Sequence, residues 1–286
     1  MNGAIEVLRL PQGTDLSGFV ALLRNLNVPH RVSLDGGDQV LWVPDRQLAV
    51  EVGELYARFP QGNPRLQSLE PPRDTDNFFH QLRRRPLCAL MLLLTLAVAA
   101  LTGLGENFDA IRWLSFQDFR IQGDYLYFVP LQESLHAGQW WRLLTPMLIH
   151  FGWLHLTMNT LWYWELGRRI EALQGGLVLL ALTLLFGLVS NLAQYLVGGS
   201  ALFGGLSGVL YGLLGHCWIY HKLAPSTAYR LPPGVVVMML VWLLVCLSGL
   251  VTVLGLGTIA NAAHVGGLLA GCLTGAVGGA WARRGH

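Results

Sequence analysis

The chain has 286 residues, 53% of them hydrophobic and only 13% charged, with a mean hydropathy of +0.45. Soluble domains carry about a quarter charged residues, so a wholly soluble protein is excluded, and a net charge of +2 is too small to point to nucleic acid. The length leaves room for one small soluble domain and one membrane domain. The charges are split accordingly: the first 85 residues have an ordinary soluble mixture, and no Asp or Glu follows Glu171.

The opening MNGAIEVLRL lacks the basic start and apolar core of a secretory signal. Residues 4–11 alternate as a strand does. TDLSGFVALLRNLN then offers a Thr14 or Asp15 cap and a helical stripe of Phe19, Leu22, Leu23 and Leu26. HRVSLDGGDQVLWVP reads as a hairpin turning at Asp35-Gly36-Gly37, and RQLAVEVGELYARF as a second amphipathic helix. The order strand–helix–strand–strand–helix predicts a small cytoplasmic α+β domain over 1–62, joined by a polar, Pro-rich linker over 63–82 to a membrane domain over 83–286. The small domain holds neither a nucleotide loop nor a catalytic cluster, so it reads as a regulatory or assembly module.

Crossing about 30 Å of hydrocarbon takes roughly 20 apolar residues. Six runs qualify, near 86–104, 147–167, 176–197, 205–221, 233–251 and 259–280. The fourth is short and rich in glycine, so its neighbours must shield it from lipid. Arg83–Arg85 precede the first run, Arg168 and Arg169 follow the second, Lys222 and Arg230 the fourth, and Arg283 and Arg284 the sixth. The stretch between runs one and two holds Arg112, Arg120 and Arg142 against five acids. Basic residues stay on the cytoplasmic side, which predicts a multi-pass membrane protein of six spans with both termini in the cytoplasm. Cys88, Cys217, Cys246 and Cys272 fall one to a run with no metal-like spacing and read as packing residues.

Polar side chains inside spans are costly and mark function. His155 and Asn159, four apart, project from one helical face. Ser207 lies in the fourth run and His264 in the sixth. Gly204, Gly208, Gly212 and Gly215 form a small-residue ridge beside Ser207, and Gly267, Gly271 and Gly275 a second beside His264. Such ridges let helix backbones approach closely, which could bring serine and histidine together. A serine hydroxyl needs an adjacent base to act as a nucleophile. With no carboxylate in the last four runs, a serine hydrolase here must run on a Ser–His dyad, its ring held by packing, best by Tyr211 one turn after Ser207. The amide of Asn159, an N–H of His155 and the backbone N–H of Ser207 could supply an oxyanion hole.

These residues also resemble a known family. Gly205-Leu206-Ser207-Gly208 matches the GxSG motif of the rhomboid intramembrane serine proteases, and His155-x-x-x-Asn159 resembles their second-span motif. Ala263-His264-x-x-Gly267-x-x-x-Gly271 resembles their sixth-span motif, and Trp141-Arg142 the WR pair of their first extramembrane loop. The match runs over about residues 80–280, and the N-terminal domain with six spans points to a bacterial type of the family. The resemblance implies a six-transmembrane-helix rhomboid bundle with Ser207 as nucleophile, His264 as general base and acid, and His155 and Asn159 in the oxyanion hole. It gives Arg142 a structural role in the first loop and His150 a supporting one. It implies hydrolysis of peptide bonds in or near transmembrane segments of substrate proteins in the lipid bilayer, with small residues at the cut. No metal or cofactor is implied, and a homo-oligomer is left open.

Span five begins Leu231-Pro232-Pro233-Gly234, and the uncharged, glycine-bearing loop Ser248–Gly257 leads directly into span six and His264. That pattern predicts a lid and lateral gate. A transporter would show internal repeats and charged, broken half-helices, which the sequence lacks. HFGWLH has neither the four-residue histidine spacing nor the glutamate of a zinc protease. A carboxylate-dyad protease needs two buried acids, and a non-catalytic rhomboid-like chaperone would lack the serine or its base.

Overall fold

The computed structural model describes residues 5–26, 28–62, 78–226, 228–232, 234–254 and 258–284. The chain divides into two compact units, Met1–Thr75 and Asp76–His286.

In the first unit, β1 (Ile5–Pro11), α1 (Ser17–Asn25), β2 (Arg31–Asp35), β3 (Asp38–Val43) and α2 (Arg46–Arg58) follow in chain order. The sheet is antiparallel with strand order β1-β3-β2. Gly36 and Gly37 both take positive φ, 62° and 91°, as a two-residue hairpin matching the strand twist requires. Asp45 caps α2 by accepting from the Leu48 N–H at 2.8 Å. Phe19, Leu22 and Leu23 of α1 pack with Leu41, Val43 and Val52 into one core. Leu26, expected in that stripe, is 48% exposed, because α1 ends at Asn25.

The second unit starts with α3 (Phe78–Arg84) and α4 (Pro86–Leu101). The connection to the next long helix has structure of its own: α5 (Phe108–Leu114), a hairpin of β4 (Phe119–Gln122) and β5 (Tyr125–Phe128), α6 (Leu131–His136) and two 3-10 turns at Trp140–Leu143 and Thr145–Leu148. Then come α7 (Trp153–Gln174), α8 (Gly176–Gly198), α9 (Ser207–Leu223), α10 (Val235–Leu247), the single turn α11 (Leu250–Val253) and α12 (Asn261–Arg284).

Six long helices thus overlie the six apolar runs, with shifted limits. Run two, expected from 147, becomes helical only at Trp153: Pro146 sits in the second 3-10 turn and Gly152, at φ 89°, precedes the helix. Its polar end carries helix on to Gln174. Run five stops at Leu247 rather than 251, where Gly249 takes a left-handed conformation. Among the described residues α8 and α12 are long and apolar enough to cross a membrane, with mean hydropathies of 2.2 and 1.4, and α4 and α10 are shorter apolar helices.

The buried centre is α9, whose residues from Gly208 to Cys217 are all shielded. Its largest contact is with α12, followed by α8. On α7, the buried Glu171 accepts from the Leu87 and Cys88 N–H groups at 3.0 and 2.9 Å. One carboxylate therefore satisfies two orphan donors at the start of α4 and complements that helix's dipole.

Candidate active site

The site is built where α9 and α12 meet. Gly267, Gly271, Gly275 and Gly279 of α12 face Gly208 O, Gly212 O, His216 O and Tyr220 O of α9. A methyl group at Gly267 or Gly271 would overlap those carbonyls outright, and one at Gly275 would lie 2.6 Å from His216 O. Bare backbone against carbonyl is the closest approach two helices can make. The expected ridge on α9 is only partly turned to this seam. Gly215 faces Leu268 O and Cys272 N of α12, while Gly212 meets Phe186 of α8 and Gly204 meets Pro146 O and Ile149 O. Gly204 precedes the first residue of α9 and lies outside its helical row, and the uneven spacing of Gly208, Gly212 and Gly215 spreads their Cβ directions over more than one neighbour.

The seam fixes one register, and in it Ser207 at the first position of α9 comes beside His264 in the first turn of α12. Ser207 Oγ lies 2.7 Å from His264 Nε2. His264 is buried, and its Nδ1 has no hydrogen-bond partner among the described residues. The Tyr211 ring lies 5.0 Å from the His264 ring at 44°, tilted rather than stacked, and its hydroxyl donates to Met239 O of α10 at 2.9 Å. Gln194 of α8 steadies the same end of α12 by accepting from the Ala263 N–H at 3.3 Å.

The α7 residues face this pair from the other side. Gly205 holds φ 114° and donates its N–H to Pro146 O at 3.0 Å. A Cβ there would come within 2.6 Å of His155 Nε2 and 3.6 Å of Asn159 Nδ2. Only glycine suits both that backbone and that crowding. The Phe151 N–H donates to His155 Nδ1 at 3.4 Å, so the proton of the neutral ring sits on Nε2, the nitrogen facing Gly205. Asn159 Nδ2 is buried with no partner among the described residues. His150 is fully buried, donates Nδ1–H to Leu148 O at 3.0 Å and packs its ring 5.0 Å from that of His155. A cavity of about 10 Å³ adjoins Ser207, lined among others by Met147, Gly187, Ser190, Gly204 and Gly205.

Arg142 stands apart from the chemistry. It is 2% exposed, donates Nε–H to Gln139 Oε1 at 2.7 Å, and donates from one terminal nitrogen to Arg112 O and Ser115 O at 2.6 and 2.9 Å. Burial pulls its guanidinium below the usual arginine range. Asp118 pairs with Arg112 at 2.7 Å and lies 3.8 Å from Arg142. Burial pushes that carboxyl up, but the Arg112 hydrogen bond and charge outweigh it and hold Asp118 below its ordinary value. Arg142 thus knits α5 to the turn at Trp140–Leu143.

The structure therefore gathers Ser207, His264, Tyr211, His155, Asn159, Gly205, Gly208 and His150 in one place and leaves Arg142 in the first loop. Sequence reasoning missed Gln194 and Ser190, which touch the site from α8, and Met147, which touches it from the 3-10 turn Thr145–Leu148. No spacing flags them, because each is one ordinary residue in an apolar stretch. Among the described residues no group of His, Cys, Asp or Glu could hold a metal ion.

A serine hydroxyl against an imidazole in the seam of an apolar helical bundle is the arrangement of an intramembrane serine hydrolase. The Rhomboid domain family model matches residues 137–281, and the Rhomboid N-terminal domain model residues 1–70. Proteins named Rhomboid protease GlpG are similar to this chain. That of Pectobacterium atrosepticum is 31% identical over 283 residues, 94% of this chain and 95% of its own length. That of Yersinia pestis is 30% identical over 282 residues, 94% and 93%. That of Serratia proteamaculans is 43% identical over 142 residues, where the match spans 50% of this chain and 49% of the relative. The chain belongs to the rhomboid family. It is an intramembrane serine protease, a bacterial membrane helical bundle of the GlpG type with a sheet-containing N-terminal domain.

Proposed function

We propose that this protease cuts transmembrane segments of membrane-protein substrates with a two-residue unit, Ser207 as nucleophile and His264 as base and acid. The observation that carries this reading is the 2.7 Å contact between Ser207 Oγ and His264 Nε2. As Oγ bonds to the scissile carbonyl carbon, its proton passes to His264 Nε2, and the carbonyl oxygen takes up the negative charge. The C–N bond then breaks as Nε2 returns that proton to the leaving amine. A water molecule, deprotonated by His264, attacks the acyl carbon, and as the ester C–O bond breaks His264 returns that proton to Ser207 Oγ. No carboxylate orients His264, so the Tyr211 ring and the seam itself do so. The oxyanion is received by the Ser207 N–H, the Nε2–H of His155 and the amide of Asn159, a reading supported by His155 Nε2 and Asn159 Nδ2 both lying beside Gly205. The cavity of about 10 Å³ beside Ser207 suits a small residue at the cut.

In the same reading α4, α7, α8, α9, α10 and α12 cross the inner membrane, with both termini and the N-terminal module, residues 1–62, in the cytoplasm. Basic residues flanking runs one, two, four and six support that orientation. The upper part of span five, seen as α10, and the segment after it act as lid and lateral gate. Gly255–Gly257 of that segment and Pro233 lie outside the described residues. A fluorophosphonate probe applied to the purified protein, followed by mass spectrometry, should place one adduct on Ser207 and lose it in Ser207→Ala and His264→Ala. An adduct on another serine, retained in Ser207→Ala, would overturn the assignment.

A further inference from the structure

The helix α10 is held differently from the rest of the bundle. Only Met239, Leu243 and Cys246 are buried, while Val237, Val241, Trp242 and Leu244 are each more than half exposed. Glycines bracket it, Gly234 at φ 89° and Gly249 at φ 76°. A Cβ on either would meet nothing within 4 Å, so these glycines serve backbone conformation and not close packing. Two side-chain hydrogen bonds tie the helix to the catalytic elements among the described residues. Tyr211 donates its hydroxyl to Met239 O at 2.9 Å, and Asn261 of α12 donates Nδ2–H to Cys246 O at 3.1 Å. Tyr211 is also the residue whose ring packs against His264.

We infer that the Tyr211 hydroxyl and the Asn261 amide are latches that hold α10 closed, and that Tyr211 couples the position of α10 to the seating of His264. The inference rests on reading α10 as the gate and Ser207–His264 as the dyad. Met239 O lies inside the helix and keeps a second lone pair after accepting its i+4 N–H, and Cys246 O lies in the last turn, where carbonyls have no i+4 partner, so each latch attaches without disturbing the helix it grips. When α10 swings on its glycines, both donors lose their acceptors. The Tyr211 hydroxyl is then left buried and unpaired while its ring still touches His264. Entry of a substrate helix is therefore opposed by two discrete bonds, and closure behind it restores the support of the base. Tyr211 is a positioning residue in this scheme, and Asn261 takes no part in the chemistry.

The test uses the full chain in liposomes, with Asn261→Ala, Tyr211→Phe and Tyr211→Ala compared against the parent. Losing one net hydrogen bond is worth about fivefold in an equilibrium. Asn261→Ala and Tyr211→Phe should each raise the ratio of kcat/KM for a transmembrane reporter to that for a water-soluble peptide by about that factor. Hydrogen exchange of the amides in Val235–Leu247 should quicken in both variants, a readout that needs no catalysis. Tyr211→Ala, which removes the ring as well, should lower kcat on both substrates. Unchanged exchange in α10 together with an unchanged substrate ratio in both latch variants would overturn the inference. A Ser207→Ala chain that still cleaved the reporter would instead defeat the dyad, whatever α10 does.

Discussion

The seam between α9 and α12 and the attachment of α10 are opposite solutions to holding a helix in place. Along the seam, four glycines of α12 rest on four carbonyls of α9, and no side chain separates the backbones. The register is fixed because any slip drives a methylene-bearing neighbour into a carbonyl. At α10, one apolar face touches the bundle, two side-chain hydrogen bonds fasten it among the described residues, and a left-handed glycine stands at each end. Ser207 and His264 sit on the fixed pair. The element proposed to admit substrate sits on the loose one. A protease that works in a bilayer needs this division, since reacting groups tolerate little misplacement while the substrate must still come in.

The comparison is broken most severely at the seam. Gly271→Leu forces the Gly212 carbonyl away and should abolish cleavage of a transmembrane reporter while lowering the unfolding midpoint. Overpacking of a dense core costs about 1–3 kcal/mol or more. Full activity in that variant would mean that the seam does not set the serine–histidine pairing. Next in size is the oxyanion side. Asn159→Ala should reduce turnover by about 10²–10³ with little change in substrate binding, because its amide acts on charge present mainly in the transition state. A loss confined to binding would remove Asn159 from that role.

On the loose element the expected effects are smaller and opposite in sign. Trp242 and Leu247 of α10 are 54% and 46% exposed, so Trp242→Ala or Leu247→Ala removes little packing and should preserve or raise cleavage of membrane substrates. A verified cross-link between the segment after α10 and α7 should suppress cleavage without unfolding the protein. Unaltered cleavage in the cross-linked chain would place the entrance elsewhere. The smallest effect concerns the first loop. Asp118 is held below its ordinary value when folded, so its contribution is present above the unfolded carboxyl value of about 3.9 and fades as pH falls through the lower folded value. Protection of α5 and the Trp140–Leu143 turn from proteolysis should therefore persist at neutral pH and weaken only in strong acid. Asp118→Asn should remove that acid dependence.

Much of this was legible in the sequence, for identifiable reasons. Ser207, His155, Asn159 and His264 stood out as a set, because a serine and a histidine lay beside matching glycine ridges with a second His/Asn pair nearby. The hairpin turn at Gly36-Gly37 was legible because only such residues accept two positive φ angles in succession. The limits of the second and fifth helices were not, since hydropathy continues through Met147, Leu148 and Val251 where Pro146, Gly152 and Gly249 stop the helix. The β4–β5 hairpin was hidden because its strands are four residues each, too short for alternation to register. The open side of Gly212 points to Phe186 of α8 although its carbonyl lies in the seam, a distinction that a written row of glycines does not reveal. The tie from Tyr211 to Met239 O depends on a backbone atom, about which side-chain patterns say nothing.

The central claim is that Ser207 and His264 act as one unit. It is tested most directly by cleavage of a transmembrane reporter in liposomes with Ser207→Ala, His264→Ala and the double variant, each shown to be folded by its unfolding midpoint. Residues acting as a unit lose everything with the first removal, so all three variants should fall to the same background. Substantial cleavage by Ser207→Ala, or a double variant clearly worse than either single one, would contradict the account.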